Sequence, residues 1–371
     1  MRFHYLDAMR GILMILGVLL HTANVYAVRG HWQIHDPQTH VVFDSVSEFI
    51  HIFRMPALFL ISGFFAQMTF EKYGQLSFLQ LRFRRLLIPL LSTAVLCNTL
   101  QIWLHVPEGC TSSDNLYDFM TVTMPCAIQR GAWVQHLWFL IVVMVYCVCC
   151  LPVAAWLKHR RMGVEASSEN RFSFNKGLLF SVPFITVVIS VIQHFVPVLQ
   201  GEGGPFFFGL VDPAYLLGYL PFFAFGMWLY TDPAGLSGFC QFGPISVAAI
   251  IAAFSLQQIV QSASDGNSNQ VLSVYLNSLE QWLGCHLCFC VFQRFFRQPS
   301  RFFSYLADAS YSIYLFHHLA IVAVSGLLVH VTASVFLKFS VVIFLAGLLT
   351  LAMHELFIRR VPLLRLLFNG K

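Results

Sequence analysis

The sequence predicts an all-α integral membrane protein with about ten transmembrane helices and both termini in the cytoplasm. Hydrophobic residues make up 57% of the 371 positions and charged residues only 11%, whereas soluble proteins carry roughly 25% charge. The apolar residues also occur in runs of about 20, the length of helix that crosses a hydrocarbon core of roughly 30 Å. Both observations exclude a soluble fold and favour a multi-pass membrane protein.

Ten apolar runs are candidate spans, and no long linker or repeat separates them. We therefore expect one membrane domain over residues 1–371, with the lipid bilayer and not nucleic acid as its surroundings. The candidate spans lie near 9–28, 45–68, 86–105, 136–157, 177–197, 212–230, 243–261, 271–295, 307–330 and 334–357.

The distribution of basic residues predicts which side of the membrane each loop occupies. Of the 22 lysines and arginines, all but Arg29, Arg54, Arg130 and Lys338 fall in segments on the same side as the N-terminus. By the positive-inside rule that side is the cytoplasm. An even number of spans then returns the C-terminus to the cytoplasm.

The ten cysteines do not indicate a metal site. The densest clusters lie in apolar helices without nearby carboxylates, where free cysteine behaves as a small hydrophobic residue. Cys110 and Cys126 share one outer loop. They could form a disulfide if that side is oxidising, although the spacing alone does not decide the matter.

The first span carries two ionisable residues on one helical face. Arg10 and His21 are eleven residues apart, close to three turns, so they stand roughly 16 Å apart along the axis. Asp7 can pair with Arg10 at the cytoplasmic end. A polar stripe therefore runs from a charged end to a buried imidazole, and such groups at membrane depth usually mark a functional site.

The second span places Glu48, His51 and Arg54 at successive spacings of three. Arg54 lies well inside the span, which favours a solvated or ion-paired functional site. The alternative is a structural salt bridge from Arg54 to Glu48 or to Glu280.

Arg82 and Arg85 lie one helical turn apart at the cytoplasmic mouth of the third span. Their charge satisfies the positive-inside pattern without any further role. Because arginine also matches the geometry of phosphate, the pair could bind a phosphorylated cytoplasmic donor.

The ninth span places His317 and His318 near the middle of the membrane, and the fourth span opens with His136 and Trp138. A single buried histidine is usually a core residue. Histidines on separate helices, His21, His51 and His317 among them, instead predict a shared polar cavity.

In this order, the motifs of the chain resemble the membrane acyltransferase 3 family along essentially its whole length. The residues that carry the resemblance are Tyr5-Leu6-Asp7-x-x-Arg10-Gly11, His21, Phe59-Leu60-Ile61-Ser62-Gly63-Phe64, Arg82-x-x-Arg85 and Ser310-Tyr311-x-Ile313-Tyr314-Leu315-x-His317. A narrower resemblance lies in Phe49-Ile50-His51-x-Phe53-Arg54-Met55, His317-His318 and the segment from Arg360 to Lys371. It points to a subgroup that succinylates osmoregulated periplasmic glucans.

The resemblance implies an O-acyltransferase of the bacterial inner membrane that has no tightly bound cofactor. The donor would be a cytoplasmic acyl-CoA, with succinyl-CoA expected, and the acceptors would be glucose hydroxyls of a periplasmic glucan. The resemblance implies catalysis by Arg10 and His21 and donor binding by Arg82 and Arg85. From the residues themselves we add catalysis by Arg54 and His317, on their depth and side-chain chemistry, and acceptor binding by His51 and Trp138.

Within this prediction, His21 acts as a general base towards the sugar hydroxyl or first accepts the acyl group itself. Arg54 would stabilise the oxyanion and His317 would relay a proton. Two other functions remain open. One is O-acetylation of another exported polysaccharide, and the other is transport of an anionic metabolite, since buried histidine and arginine suit both.

Overall fold

The computed structural model describes residues 3–30, 32–166, 182–195, 209–210, 212–262 and 267–371, and every regular element in these ranges is helical. Apart from short turns between residues 116 and 129, the helices are, in chain order, α1 (His4–Tyr26), α2 (Val41–Tyr73), α3 (Gln75–Leu104), α4 (Gln135–Cys149), α5 (Leu151–Ala166), α6 (Pro183–Phe195), α7 (Pro213–Thr231), α8 (Pro233–Phe239), α9 (Pro244–Ser262), α10 (Asn267–Phe295), α11 (Arg301–Leu328), α12 (Val335–Ile358) and α13 (Pro362–Asn369).

Five of these helices are each long and apolar enough to cross a membrane: α1, α2, α3, α11 and α12. The number rises to seven if the bent pairs α4–α5 and α8–α9, with bends of 57° and 62°, each form one span. These candidates coincide with seven of the predicted runs. The described chain is therefore a helical protein with five to seven candidate membrane spans, while the count of ten and the cytoplasmic termini stay predictions.

The other three predicted runs give a mixed result. Residues 177–181 and 196–197 of the run 177–197 lie outside the described residues, and the part between them contains α6. The runs 212–230 and 271–295 do form helices, α7 and α10. Neither helix meets the combined criteria of length and apolar composition that the seven candidate spans meet. In α10 the apolar residues are interrupted by Asn277, Glu280 and Gln281.

Helices α2 and α7 pack against each other through two glycines. A Cβ atom at Gly63 would lie 2.0 Å from the carbonyl oxygen of Phe223, and a Cβ atom at Gly226 would lie 2.0 Å from the carbonyl oxygen of Leu60. Only a residue without a side chain allows two helix backbones to approach so closely, a common solution in membrane helix pairs. This contact holds α2 in place, and α2 carries Arg54.

Helix α1 lies at the centre of the assembly, where it packs against α2, α10, α11 and α12. Its buried residues occur all around the helix, from Leu6 to Tyr26. A helix whose buried residues face in every direction is largely enclosed by other helices. Arg10 and His21 therefore project from α1 into spaces between helices.

One end of the bundle, here called the basic end, gathers cationic side chains. They include Arg10, Lys72, Arg82, Arg85, Arg161 and Lys371. Ion pairs in this part of the described chain include Lys371 Nζ with the Asp308 carboxylate at 2.7 Å and Arg161 with Glu71 at 2.9 Å. Basic residues that the sequence assigns to one side of the membrane thus lie together at one end of the bundle.

The opposite end holds the loops after α1 and after α3. Cys110 and Cys126 are joined by a disulfide in the second of these loops. Lys338, one of the few basic residues predicted on this side, is buried and lies 3.0 Å from the Asp36 carboxylate. The Asp36 carboxylate therefore neutralises the charge of Lys338. This pairing explains how a lysine is accommodated at the end of the bundle that has few basic residues.

Candidate functional site

Four histidines from three parts of the chain meet inside the bundle. The ring of His21 lies 5.3 Å from that of His317 and 4.7 Å from that of His318, measured between centroids. His136 stacks on His318 at 4.6 Å and lies 5.3 Å from His317. We call these four residues the histidine cluster. His21 is half-buried and the other three are buried.

The hydrogen bonds of His317 determine which of its nitrogens is protonated. Its Nδ1 lies 2.7 Å from the carbonyl oxygen of Tyr314 and 3.1 Å from that of Ile313. A carbonyl oxygen can only accept, so Nδ1 carries the proton. In the neutral ring Nε2 then bears the lone pair, and this atom is buried without a hydrogen-bond partner among the described residues. His317 therefore offers a basic nitrogen to the histidine cluster.

The side chain of Arg54, which comes from α2, contacts α1 about one helical turn before His21. Its Nε donates a hydrogen bond of 2.9 Å to the carbonyl oxygen of Leu13, and its Nη2 occupies the space that a side chain at Gly17 would fill. Gly17 precedes His21 by four residues, so the two share a helical face. No carboxylate pairs with Arg54 in the described part of the chain, and Glu48 instead lies 3.9 Å from Arg29. The alternative of a structural salt bridge to Glu48 or Glu280 is not what the structure contains.

A cavity of about 210 Å³ opens at the basic end, here called the basic cavity. It is lined by Arg10, Arg82, Arg85 and Lys371, with Asp308 as the acidic residue in its wall. Four cations against one carboxylate make the cavity suitable for an anion.

The three arginines of the basic cavity differ in how they are held. Arg82 Nη2 donates to the carbonyl oxygen of Phe65 at 2.8 Å and lies 3.2 Å from the Thr69 hydroxyl. Arg10 Nη2 donates to the carbonyl oxygen of Ala307 and lies 3.7 Å from Asp7. Arg85 is the most exposed of them. Arg82 and Arg10 are thus fixed by the protein, whereas Arg85 extends along the wall of the cavity.

Tyr314 connects the basic cavity with the histidine cluster. Its side chain lines the cavity, its hydroxyl donates a 2.6 Å hydrogen bond to the carbonyl oxygen of His136, and its ring lies 6.2 Å from that of His317. Tyr314 therefore lies between the basic cavity and the histidines.

A second cavity, of about 520 Å³, lies at the opposite end and is here called the aromatic cavity. Trp32, Trp138 and Tyr215 line it, and the rings of Trp138 and Tyr215 stack at 4.3 Å. The indole of Trp32 also stacks on His21, with 5.8 Å between centroids. The histidine cluster is therefore linked to the basic cavity through Tyr314 and to the aromatic cavity through Trp32.

Gln135 contributes a strained residue to the wall of the aromatic cavity. Its φ of 48° is the only positive value outside glycine among the described residues, and such conformations persist only where the surroundings enforce them. Its Oε1 atom is buried and has no hydrogen-bond partner among the described residues. Gln135 thus brings an unsatisfied acceptor to the wall of the cavity.

All of the predicted site residues except His51 fall into three groups. The structure brings His21, Arg54 and His317 together, and it gathers Arg10, Arg82 and Arg85 around the basic cavity. Trp138 lines the aromatic cavity. His51, by contrast, is exposed on α2 and makes no ring contact with His21 or His317 within the described ranges; its predicted role in acceptor binding stays a prediction.

Sequence reasoning did not assign His136, His318, Trp32, Gln101 or Tyr314 to the site. Two signals were present, since His136 lies two residues before Trp138 and His318 follows His317 directly. Trp32 lies in a loop and Gln101 follows a π-helical turn, Ala94–Asn98, so helical periodicity could not reveal either of them.

The site thus combines an anion cavity, histidines with an unprotonated nitrogen, a buried arginine and an aromatic cavity. Comparison with known proteins identifies the family of the chain. The family described as "Acyltransferase domain" matches residues 3–353. The chain belongs to this acyltransferase family. The predicted resemblance to membrane acyltransferases is confirmed.

Relatives of known name cover the full length of this acyltransferase. Glucans biosynthesis protein C of Escherichia coli O81 is 29% identical over 387 aligned positions, which include 100% of this chain and 95% of the relative. Glucans biosynthesis protein C of Shigella dysenteriae serotype 1 matches with the same identity and coverage. No solved structure matches the chain.

Proposed function

We propose that this acyltransferase transfers a succinyl group from cytoplasmic succinyl-CoA to glucose hydroxyls of a periplasmic glucan. The protein would lie in the bacterial inner membrane with its basic end in the cytoplasm. The similarity to proteins named for glucan biosynthesis supports the acceptor class. The charge and shape of the two cavities support the direction of transfer.

The observation that carries the proposal is the order of groups through the bundle. Four cations at the basic cavity are followed by Tyr314, Arg54, the histidine cluster and then the aromatic cavity. Tyr314 lines the basic cavity and contacts His317, and Trp32 contacts His21 and lines the aromatic cavity. A donor and an acceptor that enter from opposite ends would therefore meet at the histidines.

The basic cavity suits the phosphates of a coenzyme A thioester. Arginine and lysine bind phosphate through charge-assisted hydrogen bonds, and arginine does so through two parallel bonds. The cavity is too small to enclose the nucleotide of coenzyme A. Arg85 and Lys371 would therefore hold its phosphates at the mouth of the cavity. The narrow pantetheine arm then extends past Met14 and Leu58, which line the same cavity.

In the transfer step, an unprotonated imidazole nitrogen of His21 or His317 takes the proton of a sugar hydroxyl. The oxygen attacks the succinyl carbonyl, the carbon–sulfur bond breaks, and the thiolate of coenzyme A leaves and takes up the proton. If His21 is instead the nucleophile, an acyl-imidazole forms first and the sugar oxygen attacks it. Arg54 bears a positive charge beside the carbonyl oxygen as negative charge develops there.

The aromatic cavity suits a sugar. Aromatic rings present flat apolar surfaces with polar edges, and the apolar faces of glucose rings can lie on Trp138 and Tyr215. Polar side chains at the rim, Gln135, Asp212 and Glu108, provide acceptors for sugar hydroxyls. The volume of about 520 Å³ leaves room for a glucose unit of a longer glucan.

The test is transfer by the purified protein in nanodiscs supplied with glucan and radiolabelled succinyl-CoA or acetyl-CoA. We expect succinate to become covalently attached to the glucan, with acetyl transfer much slower. Preferred transfer of acetate would replace the donor in the proposal. If neither acyl group reaches the glucan while proteoliposomes accumulate an anionic metabolite, the enzymatic proposal fails.

A further inference from the structure

The loop between α1 and α2 folds back over the histidine cluster. The backbone amide of Asp36 donates to the carbonyl oxygen of Val25 at 3.0 Å, and that of His40 donates to the carbonyl oxygen of Tyr26 at 3.0 Å. These bonds tie the return of the loop to the last turn of α1. We call residues 27–40, of which all but residue 31 are described, the strap.

Two buried carboxylates hold the strap. The Asp44 side chain accepts hydrogen bonds from the backbone amides of Val28 and Arg29, at 2.9 and 2.8 Å. Asp36 is 1% exposed and pairs with Lys338 of α12, which is 3% exposed. A buried ion pair adds little net stability, because desolvation of both charges offsets their attraction, but removing either partner leaves an uncompensated buried charge. The strap is therefore fixed to α1, α2 and α12.

Between these anchors, Trp32 covers the histidine cluster. Its ring stacks on His21 at an interplanar angle of 27° and meets His318 edge to face, with 5.0 Å between centroids. Trp32 also lines the aromatic cavity. One side chain thus forms the boundary between the proposed acceptor cavity and the two histidines.

The residue after Trp32 makes a second connection to the cluster. Gln33 is hydrogen-bonded to the side-chain amide of Gln101, and the same amide lies 3.0 Å from Nδ1 of His318. Gln101 is completely buried. The position of the strap and the orientation of the His318 ring are therefore linked.

We propose that Trp32 is an acceptor-binding residue that determines which nucleophile reaches the histidines, and that Asp36 and Lys338 are positioning residues that hold it there. The inference rests on the proposed acyl transfer and goes beyond it. A sugar hydroxyl would approach His21 along the face of the Trp32 indole. Water would be excluded by the same indole until the sugar is bound.

The chemical consequence is a choice between two acceptors. With Trp32 present, the oxygen of a sugar hydroxyl attacks the acyl carbonyl and the acyl group is transferred. Without it, a water oxygen attacks the same carbon, the carbon–sulfur bond breaks, and free succinate and coenzyme A thiol are released. Trp32→Ala should therefore raise the KM for glucan and increase thiol release that is not matched by glucan succinylation, whereas Trp32→Phe should largely preserve transfer.

A measurement independent of acyl transfer tests the geometry. Diethyl pyrocarbonate modifies unprotonated imidazole nitrogens, and mass spectrometry of peptides locates the modified rings. We expect modification of His21 and His318 to rise several-fold in Trp32→Ala and in Lys338→Met. His354, buried near the basic end, serves as the internal reference. Trp103→Ala is the matched control, because Trp103 is exposed and packs on Phe119 away from the cluster.

The two arms separate the inference from the proposed function. Unchanged modification of both histidines in Trp32→Ala would overturn the role of the strap, whatever the activity. An increase in modification without any succinyl transfer by the wild-type protein would support the strap and reject the proposed function. If Trp32→Ala does not accumulate, Trp32→Leu, which keeps apolar volume but cannot stack, takes its place. If modification of His21 and His318 in Lys338→Met equals that in the wild type, the ion pair has no positioning role.

Discussion

Gly17 and Arg54 fit together so closely that a Cβ atom at Gly17 would lie 2.1 Å from Nη2 of Arg54. The glycine of α1 thereby makes room for the guanidinium of α2 one turn below His21. Because Arg54 is 5% exposed, a side chain at Gly17 would force its guanidinium to shift within a buried space. The position of the proposed oxyanion-stabilising charge thus depends on a residue without a side chain.

Gly17→Ala is therefore expected to abolish most acyl transfer. Displacing one electrostatic stabiliser of the transition state typically costs about 10²–10³ in kcat, and the KM for the donor should change little because the basic cavity is untouched. The measurement is steady-state transfer to glucan at saturating succinyl-CoA, together with the amount of protein in the membrane.

Gly347→Ala provides the matched control for this substitution. Gly347 lies within α12, and an added Cβ would meet nothing within 4 Å. Alanine is also the better helix former, so this variant should retain full activity. Near wild-type kcat in Gly17→Ala would show that Arg54 has no part in the transition state.

Arg85→Ala is expected to weaken donor binding with little effect on insertion. One charge-assisted contact to phosphate contributes roughly 1.5–3 kcal/mol, so the KM for succinyl-CoA should rise about ten- to hundredfold. The neighbouring variant Arg84→Ala removes the same charge from an exposed side chain outside the wall of the basic cavity. Equal KM values for the two variants would show that Arg85 contributes to membrane topology but not to donor binding.

Cysteine labelling in intact cells tests the predicted orientation. With a membrane-impermeant thiol reagent, Ser112→Cys should react and Gln298→Cys should not, because these exposed positions lie at opposite ends of the bundle. The wild-type protein, with the exposed Cys149, gives the background. Reaction at Gln298→Cys alone would invert the orientation and with it the side from which the donor enters.

The sequence sufficed for features that depend on one helix. Arg10 and His21 lie on a common face of α1 because eleven residues correspond to almost three full turns. A spacing of three residues predicts a common helical face less well, because each step places the side chain about 60° short of a full turn. Glu48, His51 and Arg54 consequently diverge: Glu48 contacts Arg29, His51 is exposed and Arg54 faces α1.

Features that depend on distant segments were out of reach. His136 and His318 are separated by more than 180 residues and meet only because the start of α4 packs against α11. Gln101 reaches His318 after a π-helical turn in α3; one extra residue in a turn rotates the following side chains by about 100°. Without an account of tertiary packing, neither contact follows from periodicity.

The most direct test of the account is the rate of succinyl transfer by His21→Gln in nanodiscs. Glutamine keeps much of the volume and hydrogen bonding of histidine but cannot act as a base or an acyl acceptor. His159→Gln, at an exposed position on α5, is the control. We predict that His21→Gln accumulates normally and transfers succinate to glucan at least about 10²-fold more slowly than the wild type, while His159→Gln is unaffected. Near wild-type transfer by His21→Gln would contradict the assignment of the histidine cluster as the catalytic centre.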